Sequence, residues 1–114
     1  MEKALAIALI LSSILVFGCV QQTPSATTTS RTLSAADEAK TKCIALCLQE
    51  KQKGNDLSRG PCLSNKIIDD WVCDVAHSPR ESVDNDPANQ CPAFGSNASH
   101  FIEVNPECAF IKAV

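Results

Sequence analysis

The chain has 114 residues, which is enough for one domain. Its formal net charge of −3 at pH 7, with no basic stripe that could neutralise phosphates, excludes nucleic acid as an expected partner. It has seven cysteines but only four Phe, one Trp and no Tyr. A core with so few large side chains needs covalent support, which cysteines can supply as disulfides.

The chain begins with an uncharged apolar run, "ALAIALILSSILVFG", at residues 4–18. A short apolar run that follows Lys3 and ends in a small residue predicts a secretory signal peptide over residues 1–18. A helix that spans a bilayer needs about 20 mostly apolar residues, so an uncleaved signal anchor is the alternative interpretation.

Cys19 directly follows this apolar run. Val16, Gly18 and Cys19 resemble the lipobox of bacterial and archaeal lipoproteins, in which an aliphatic and a small residue precede a lipid-bearing cysteine. The resemblance implies a lipid on Cys19 and a location on the extracellular face of the cytoplasmic membrane. A lipid with two chains anchors stably, whereas one chain binds only marginally. Residues 19–33 are rich in Thr and Ser, which predicts a flexible linker to the membrane.

The next predicted element is an α-helix over about residues 35–53. Ser34 is a good N-cap residue, and Gly54 is well placed as the C-terminal stop. Cys43 and Cys47 are four residues apart and share a helical face with apolar neighbours, so we expect both to be buried.

Residues 55–65, "NDLSRGPCLSN", predict a loop by their turn-forming composition. Residues 66–77, "KIIDDWVCDVAH", are ambiguous between helix and strand, and we interpret them as a helical turn that enters a short strand. Residues 78–99 contain three Pro and many turn formers, which predicts a long irregular segment. The tail predicts a β-hairpin with strands at 101–104 and 109–113. The expected fold is therefore a small disulfide-rich α+β domain.

Apart from Cys19, all the cysteines lie in the predicted domain, residues 34–114. They are Cys43, Cys47, Cys62, Cys73, Cys91 and Cys108. An even number of cysteines in a small domain behind an export signal predicts three disulfides. Because the chain must turn back after the helix, we predict a nested scheme. Its pairs are Cys47–Cys62, Cys43–Cys73 and Cys91–Cys108.

A zinc site is the main alternative use of these cysteines. Two pairs of potential ligands stand four residues apart, and together they could close a tetrahedral site of Cys43, Cys47, Cys73 and His77. The usual knuckle spacing is shorter, and an oxidising exterior favours disulfides over thiolates. We therefore expect no bound metal and no other cofactor.

The two histidines, His77 and His100, suggest a second metal site, with Asp74 as a neighbouring carboxylate. The sequence has no nucleophile motif, no HExxH and no phosphate-binding loop, so it does not favour an enzyme. Arg80 lies in the irregular segment and would enter a protease pocket if the domain were a secreted inhibitor. Asn97 begins an N-glycosylation sequon, which predicts an exposed position.

Four further stretches, "GPCLS", "WVCDVAHSPR", "NQCPAF" and "HFIEV", resemble small archaeal exported proteins with six cysteines. This resemblance implies an archaeal setting and no particular activity. The sequence as a whole predicts a lipid-anchored cell-envelope protein that acts as a non-enzymatic binding or structural module. Its expected partners are the membrane and either an envelope protein or a small ligand. The alternative is a metal-dependent exported protein that uses the two histidines.

Overall fold

The computed structural model describes Gly18 and residues 32–114. Cys19 and almost all of the predicted signal peptide and linker lie outside the described residues. Within the described part, no helix is long and apolar enough to cross a membrane. The regular elements of this part are α1 (Ala35–Gln52), β1 (Cys62–Ile68), β2 (Trp71–Val75), β3 (His100–Val104) and β4 (Phe110–Ala113).

Helix α1 has the ends that the sequence predicts, to within one residue. The Ser34 side chain accepts a hydrogen bond from the Asp37 backbone N–H at 3.1 Å, which satisfies a donor that the first turn leaves free. Gly54 follows the helix with a φ of +83°, a conformation that favours glycine at a helix C-terminus. The helical face toward the sheet buries both predicted cysteines, Cys43 and Cys47.

The four strands form one sheet in the order β1-β2-β3-β4. The pairs β1–β2 and β3–β4 are antiparallel, which confirms the predicted C-terminal hairpin. The central pair β2–β3 is parallel. Parallel neighbours require a long crossover connection, and residues 76–99 provide it. The predicted irregular segment is therefore this crossover, which contains two short 3₁₀ helices, Ser82–Asn85 and Pro87–Asn89.

The predicted helical turn before Trp71 is wrong. Ile68 pairs with Trp71, so the two residues between them form a tight hairpin turn from β1 to β2. Asp70, the second residue of the turn, has a φ of +70°, a left-handed conformation that Asp tolerates better than most residues. The isoleucines before the turn are β-branched and favour a strand over a helix.

The two faces of the sheet have different coverings. Side chains alternate along β2, so Trp71, Cys73 and Val75 pack in the core cluster with α1. Val72 belongs to a second cluster with Cys91 of the crossover. The crossover therefore covers the face that α1 leaves open.

Three disulfides join these layers. They are Cys43–Cys73, Cys47–Cys108 and Cys62–Cys91. The first pair was predicted correctly. The predicted pairs Cys47–Cys62 and Cys91–Cys108 are wrong. The cysteines of the alternative zinc site, Cys43, Cys47 and Cys73, are disulfide-bonded and so supply no thiolate ligand.

The parallel strand β3 explains the difference in pairing. It runs in the same direction as β2, so the turn after it brings Cys108 to the end of α1 that carries Cys47. Cys62 bonds instead with Cys91, across the face that the crossover covers.

Tryptic mapping of the unreduced protein will test this connectivity. Trypsin separates the cysteines into peptides 43–51, 60–66, 67–80 and 81–112. The observed pairing joins all four peptides in one species, because peptide 81–112 bonds to both 43–51 and 60–66. We expect one disulfide-linked complex by mass spectrometry, which reduction resolves into four peptides. A separate peptide 81–112 with an internal disulfide would contradict the structure.

Candidate functional site

A cleft of about 120 Å³ lies on the sheet face away from α1. Its floor consists of two pairs of neighbouring residues, Val72 beside Phe101 and Asp74 beside Glu103. In a parallel pair, residues in register lie on the same face, so the two carboxylates lie next to each other across β2 and β3. The floor is thus apolar at one end and acidic at the other.

Glu103 is buried, and two cations surround its carboxylate. Arg80 Nη1 lies 3.0 Å from Glu103 Oε1, and Lys112 Nζ lies 3.7 Å from Oε2. A buried charge with partners on both oxygens has its desolvation cost largely offset. Glu103 is therefore a compensated charge.

Arg80 forms one wall of the cleft and is held by three groups of the protein. Its Nη1 donates to Glu103 Oε1. Its Nε donates to Asn85 Oδ1 at 2.9 Å, and its Nη2 donates to the Asp84 carbonyl oxygen at 3.1 Å. The side chain is folded back against its own domain. Arg80 therefore does not protrude in the way that the inhibitor alternative would require.

Asp74 is the carboxylate in the cleft that lacks such compensation. Its Oδ1 is buried and has no hydrogen-bond partner among the described residues. Burial, and then the negative charge of Glu103, raise the pKa of Asp74, and Arg80 and the backbone N–H of Val75 oppose the rise; the resulting pKa is about 7. A carboxylate kept in such a place costs stability when it ionises.

Two phenylalanines form the apolar end of the cleft. The Phe94 and Phe101 rings meet edge to face with their centroids 5.0 Å apart, and Phe94 keeps 46% of its surface exposed. An exposed aromatic ring beside an uncompensated carboxylate is a combination that can bind a ligand with both an apolar part and a hydrogen-bond donor.

A buried carboxylate next to the cleft, Asp84, fixes the segment that carries Arg80. Asp84 Oδ1 lies 2.9 Å from His77 Nδ1, while Oδ2 accepts from the backbone N–H groups of His77 at 3.0 Å and Glu81 at 2.9 Å. These bonds close the chain between positions 77 and 84 into a tight loop. Asp84 therefore positions Arg80 above the sheet.

The charges of the His77–Asp84 pair stabilise each other. The hydrogen bond to Asp84 raises the pKa of His77, against the effect of burial. Burial favours a higher pKa for the Asp84 carboxyl, but the backbone N–H groups of Glu81 and His77 and the His77 ring outweigh it and lower that pKa. The hydrogen-bonded pair therefore favours its charged form and fixes the end of β2.

The structure does not bring together the residues of the alternative metal site, His77, His100 and Asp74. His100 begins β3 beside Trp71, whereas His77 follows the other end of β2, so a five-residue strand of roughly 16 Å separates them. His100 stacks on Trp71 at 4.6 Å and lies 3.6 Å from Asp70 Oδ2. Within residues 32–114, no group of three metal-binding side chains comes together.

Asn97 of the sequon lies at the surface, as the sequence predicts. Its backbone N–H donates to the Ala93 carbonyl oxygen at 2.9 Å in a turn of the crossover. Glycosylation at Asn97 stays a prediction.

Comparison with known protein families, with curated proteins and with solved structures finds no match. The cleft itself is therefore the source of a functional proposal. Sequence reasoning named Asp74 and Arg80 but missed Glu103 and Phe94. The sequence did contain a signal for Asp74 and Glu103 together. The strands "WVCDV" and "HFIEV" each carry a carboxylate at the fourth position.

Gly60 allows Asp84 to occupy its buried position. Its φ is +67°, and a Cβ there would lie 2.6 Å from Asp84 Oδ1 and 2.9 Å from the Val75 carbonyl oxygen. Gly54 has a similar φ of +83° but open space around it, so it provides a matched control.

We predict that Gly60→Ala lowers the free energy of unfolding by more than about 2 kcal/mol, because contact with the buried carboxylate adds to left-handed backbone strain. Gly54→Ala has the strain alone and should cost about 1 kcal/mol. Denaturant unfolding with the disulfides intact will measure both. Equal losses would show that Asp84 does not need the space at Gly60.

Proposed function

We propose that this protein is an exported, lipid-anchored domain of the cell envelope that binds a small ligand in the cleft between Asp74 and Phe94. The observation that carries the proposal is the buried Asp74 oxygen without a hydrogen-bond partner among the described residues. Buried polar atoms in folded proteins almost always have partners, so a ligand is a natural source of the missing one.

The position of Asp74 argues against a purely structural module. Its neighbour Glu103 already pairs with both nearby cations, Arg80 and Lys112, so ionisation of Asp74 is unfavourable on balance, although Arg80 offsets part of the cost. A neutral residue at this place would make the domain more stable. Local conflicts of this kind concentrate at binding and catalytic sites.

The size of the cleft limits the ligand. Drug-sized molecules occupy pockets of about 300–1,000 Å³, whereas this cleft has about 120 Å³. A ligand with few non-hydrogen atoms fits such a space. The floor belongs to the central strands β2 and β3, each of which is hydrogen-bonded to a neighbouring strand on both sides.

Two separate features support the export and anchoring part of the proposal. The first is the uncharged run at residues 4–18 with Cys19 directly after it. The second is the set of three disulfides in the domain, since disulfides persist in oxidising compartments outside the cytosol. Both features agree with a domain held outside the membrane.

Replacement of the proposed lipid-bearing cysteine tests the anchor. In a prokaryotic host that processes lipoproteins, we expect the wild-type chain in the membrane fraction with a lipid mass on Cys19. The Cys19→Ser chain should leave that fraction or keep its uncleaved signal, because serine cannot form the thioether. A wild-type N-terminus elsewhere with no lipid on Cys19 would overturn the anchor.

A fragment screen tests the cleft. We will record NMR spectra of the full chain in dodecyl maltoside with a library of small polar and aromatic fragments. We expect hits that shift the amide signals of Val72, Phe94 and Phe101. Gln90→Trp should abolish these hits because it places a large side chain at the cleft wall, whereas Gln49→Trp on the exposed surface of α1 should leave them unchanged.

A screen in which no fragment shifts the signals of the cleft would overturn the proposed binding function. Hits that survive Gln90→Trp would place the binding elsewhere and would overturn it equally.

A further inference from the structure

We propose that the ligand of this cleft is a small organic cation, with its ammonium group against Asp74 and its apolar substituents against Phe94 and Phe101. This inference rests on the proposed function, since it names the chemical class of ligand for the same cleft.

The charges of the cleft select for a cation. Two cations lie near Asp74 and Glu103, but Arg80 and Lys112 both pair with Glu103, so Asp74 has no cationic partner of its own among the described residues. An anionic ligand would compete with Glu103 for Arg80 and would lie beside Asp74. A neutral apolar ligand would leave Asp74 unpaired in a drier site than before. A cationic ligand would supply the positive charge that Asp74 lacks and would exclude water from the Asp74 carboxylate.

The aromatic end of the cleft favours an organic cation. A cation over a phenyl ring is attracted by the ring's quadrupole, and the attraction increases when the site loses water. Phe94 and Phe101 present rings within the same cleft as Asp74. A metal ion would instead need several oxygen or nitrogen ligands, and the described residues bring no such group together.

The protein already contains this kind of contact on the same sheet face. The ammonium of Lys112 lies 3.7 Å from Glu103 Oε2 and 5.2 Å from the centroid of the Phe101 ring. It therefore uses one carboxylate and one phenyl ring together. Asp74 and Phe94 offer the same two groups to a ligand, and no lysine of the described part occupies them.

Binding should depend on pH, because the cation needs an ionised Asp74. Burial and then Glu103 raise the pKa of Asp74 to about 7, Arg80 opposes the rise, and the more distant Asp84 adds to it. Lys112 on β4 also faces this cluster through Glu103. Since the carboxylate gains its charge across this range, affinity should rise about tenfold between pH 6 and pH 8.

Choline and its neutral carbon isostere form a matched pair of probes. In the isostere, a tert-butyl group replaces the trimethylammonium group, so shape is kept and charge is lost. We will titrate the full chain with each probe in dodecyl maltoside and phosphate buffer, which contain no competing amine. We expect choline to bind at least tenfold more tightly at pH 8, with shifts at Val72, Phe94 and Phe101.

Two variants and one control separate the contributions. Asp74→Asn keeps the shape of the side chain and should reduce the preference for choline to within twofold. Phe94→Leu keeps an apolar wall and should weaken choline binding while it changes binding of the neutral isostere little. Asp69→Asn removes a carboxylate that is 90% exposed outside the cleft and should leave the preference unchanged. Thermal unfolding of each variant will confirm that it is folded.

Equal affinity for choline and its isostere would overturn the cation inference and leave the binding site standing. Fragment hits at the cleft without any binding of choline would likewise overturn the cation inference and leave the binding site standing. A preference that persists in Asp74→Asn would show that another group recognises the charge, and it would also overturn the inference. A screen in which no fragment binds in the cleft is a different result, and it would overturn the proposed function itself.

Discussion

The parallel pairing of β2 and β3 is the constraint on which the rest of the structure depends. It sets Asp74 beside Glu103 and Val72 beside Phe101, which creates the floor of the cleft. A parallel pair also needs a long connection, and that connection covers the second face of the sheet. The central pair and its crossover thus create the site together.

Several layers of support hold the cleft in shape. Gly60 leaves room for Asp84, Asp84 closes the loop that carries Arg80, and Arg80 binds Glu103. Each step places a charged group where its partner can offset the cost of burial. Asp74 stands at the end of this series without such a partner. The arrangement is stable enough to hold one unfavourable carboxylate in position, which is the condition for a preorganised binding group.

Local signals in the sequence predicted the local structure well. The N-cap Ser34 and the terminal Gly54 marked α1, and the two C-terminal strands form the predicted hairpin. The connectivity and the cleft depend on contacts between distant positions. Nothing near Cys47 indicates that Cys108 lies beside it, because that proximity follows from the direction of β3. The direction of β3 also decides that Asp74 and Glu103 lie side by side. The spacing of residues in the sequence therefore predicts neither the Cys47–Cys108 bond nor the cleft.

The two disulfides of α1 also determine how the domain responds to mechanical force. A pull at residue 32, where the chain leaves toward the proposed membrane anchor, acts on the start of the helix. Cys43 and Cys47 bond the helix to β2 and to the turn after β3, so tension passes through covalent bonds into the sheet. Such a load can unravel residues 35–42 and then stops at Cys43. The cleft lies on the opposite face of the sheet, so a load that stops at Cys43 would leave its floor in place.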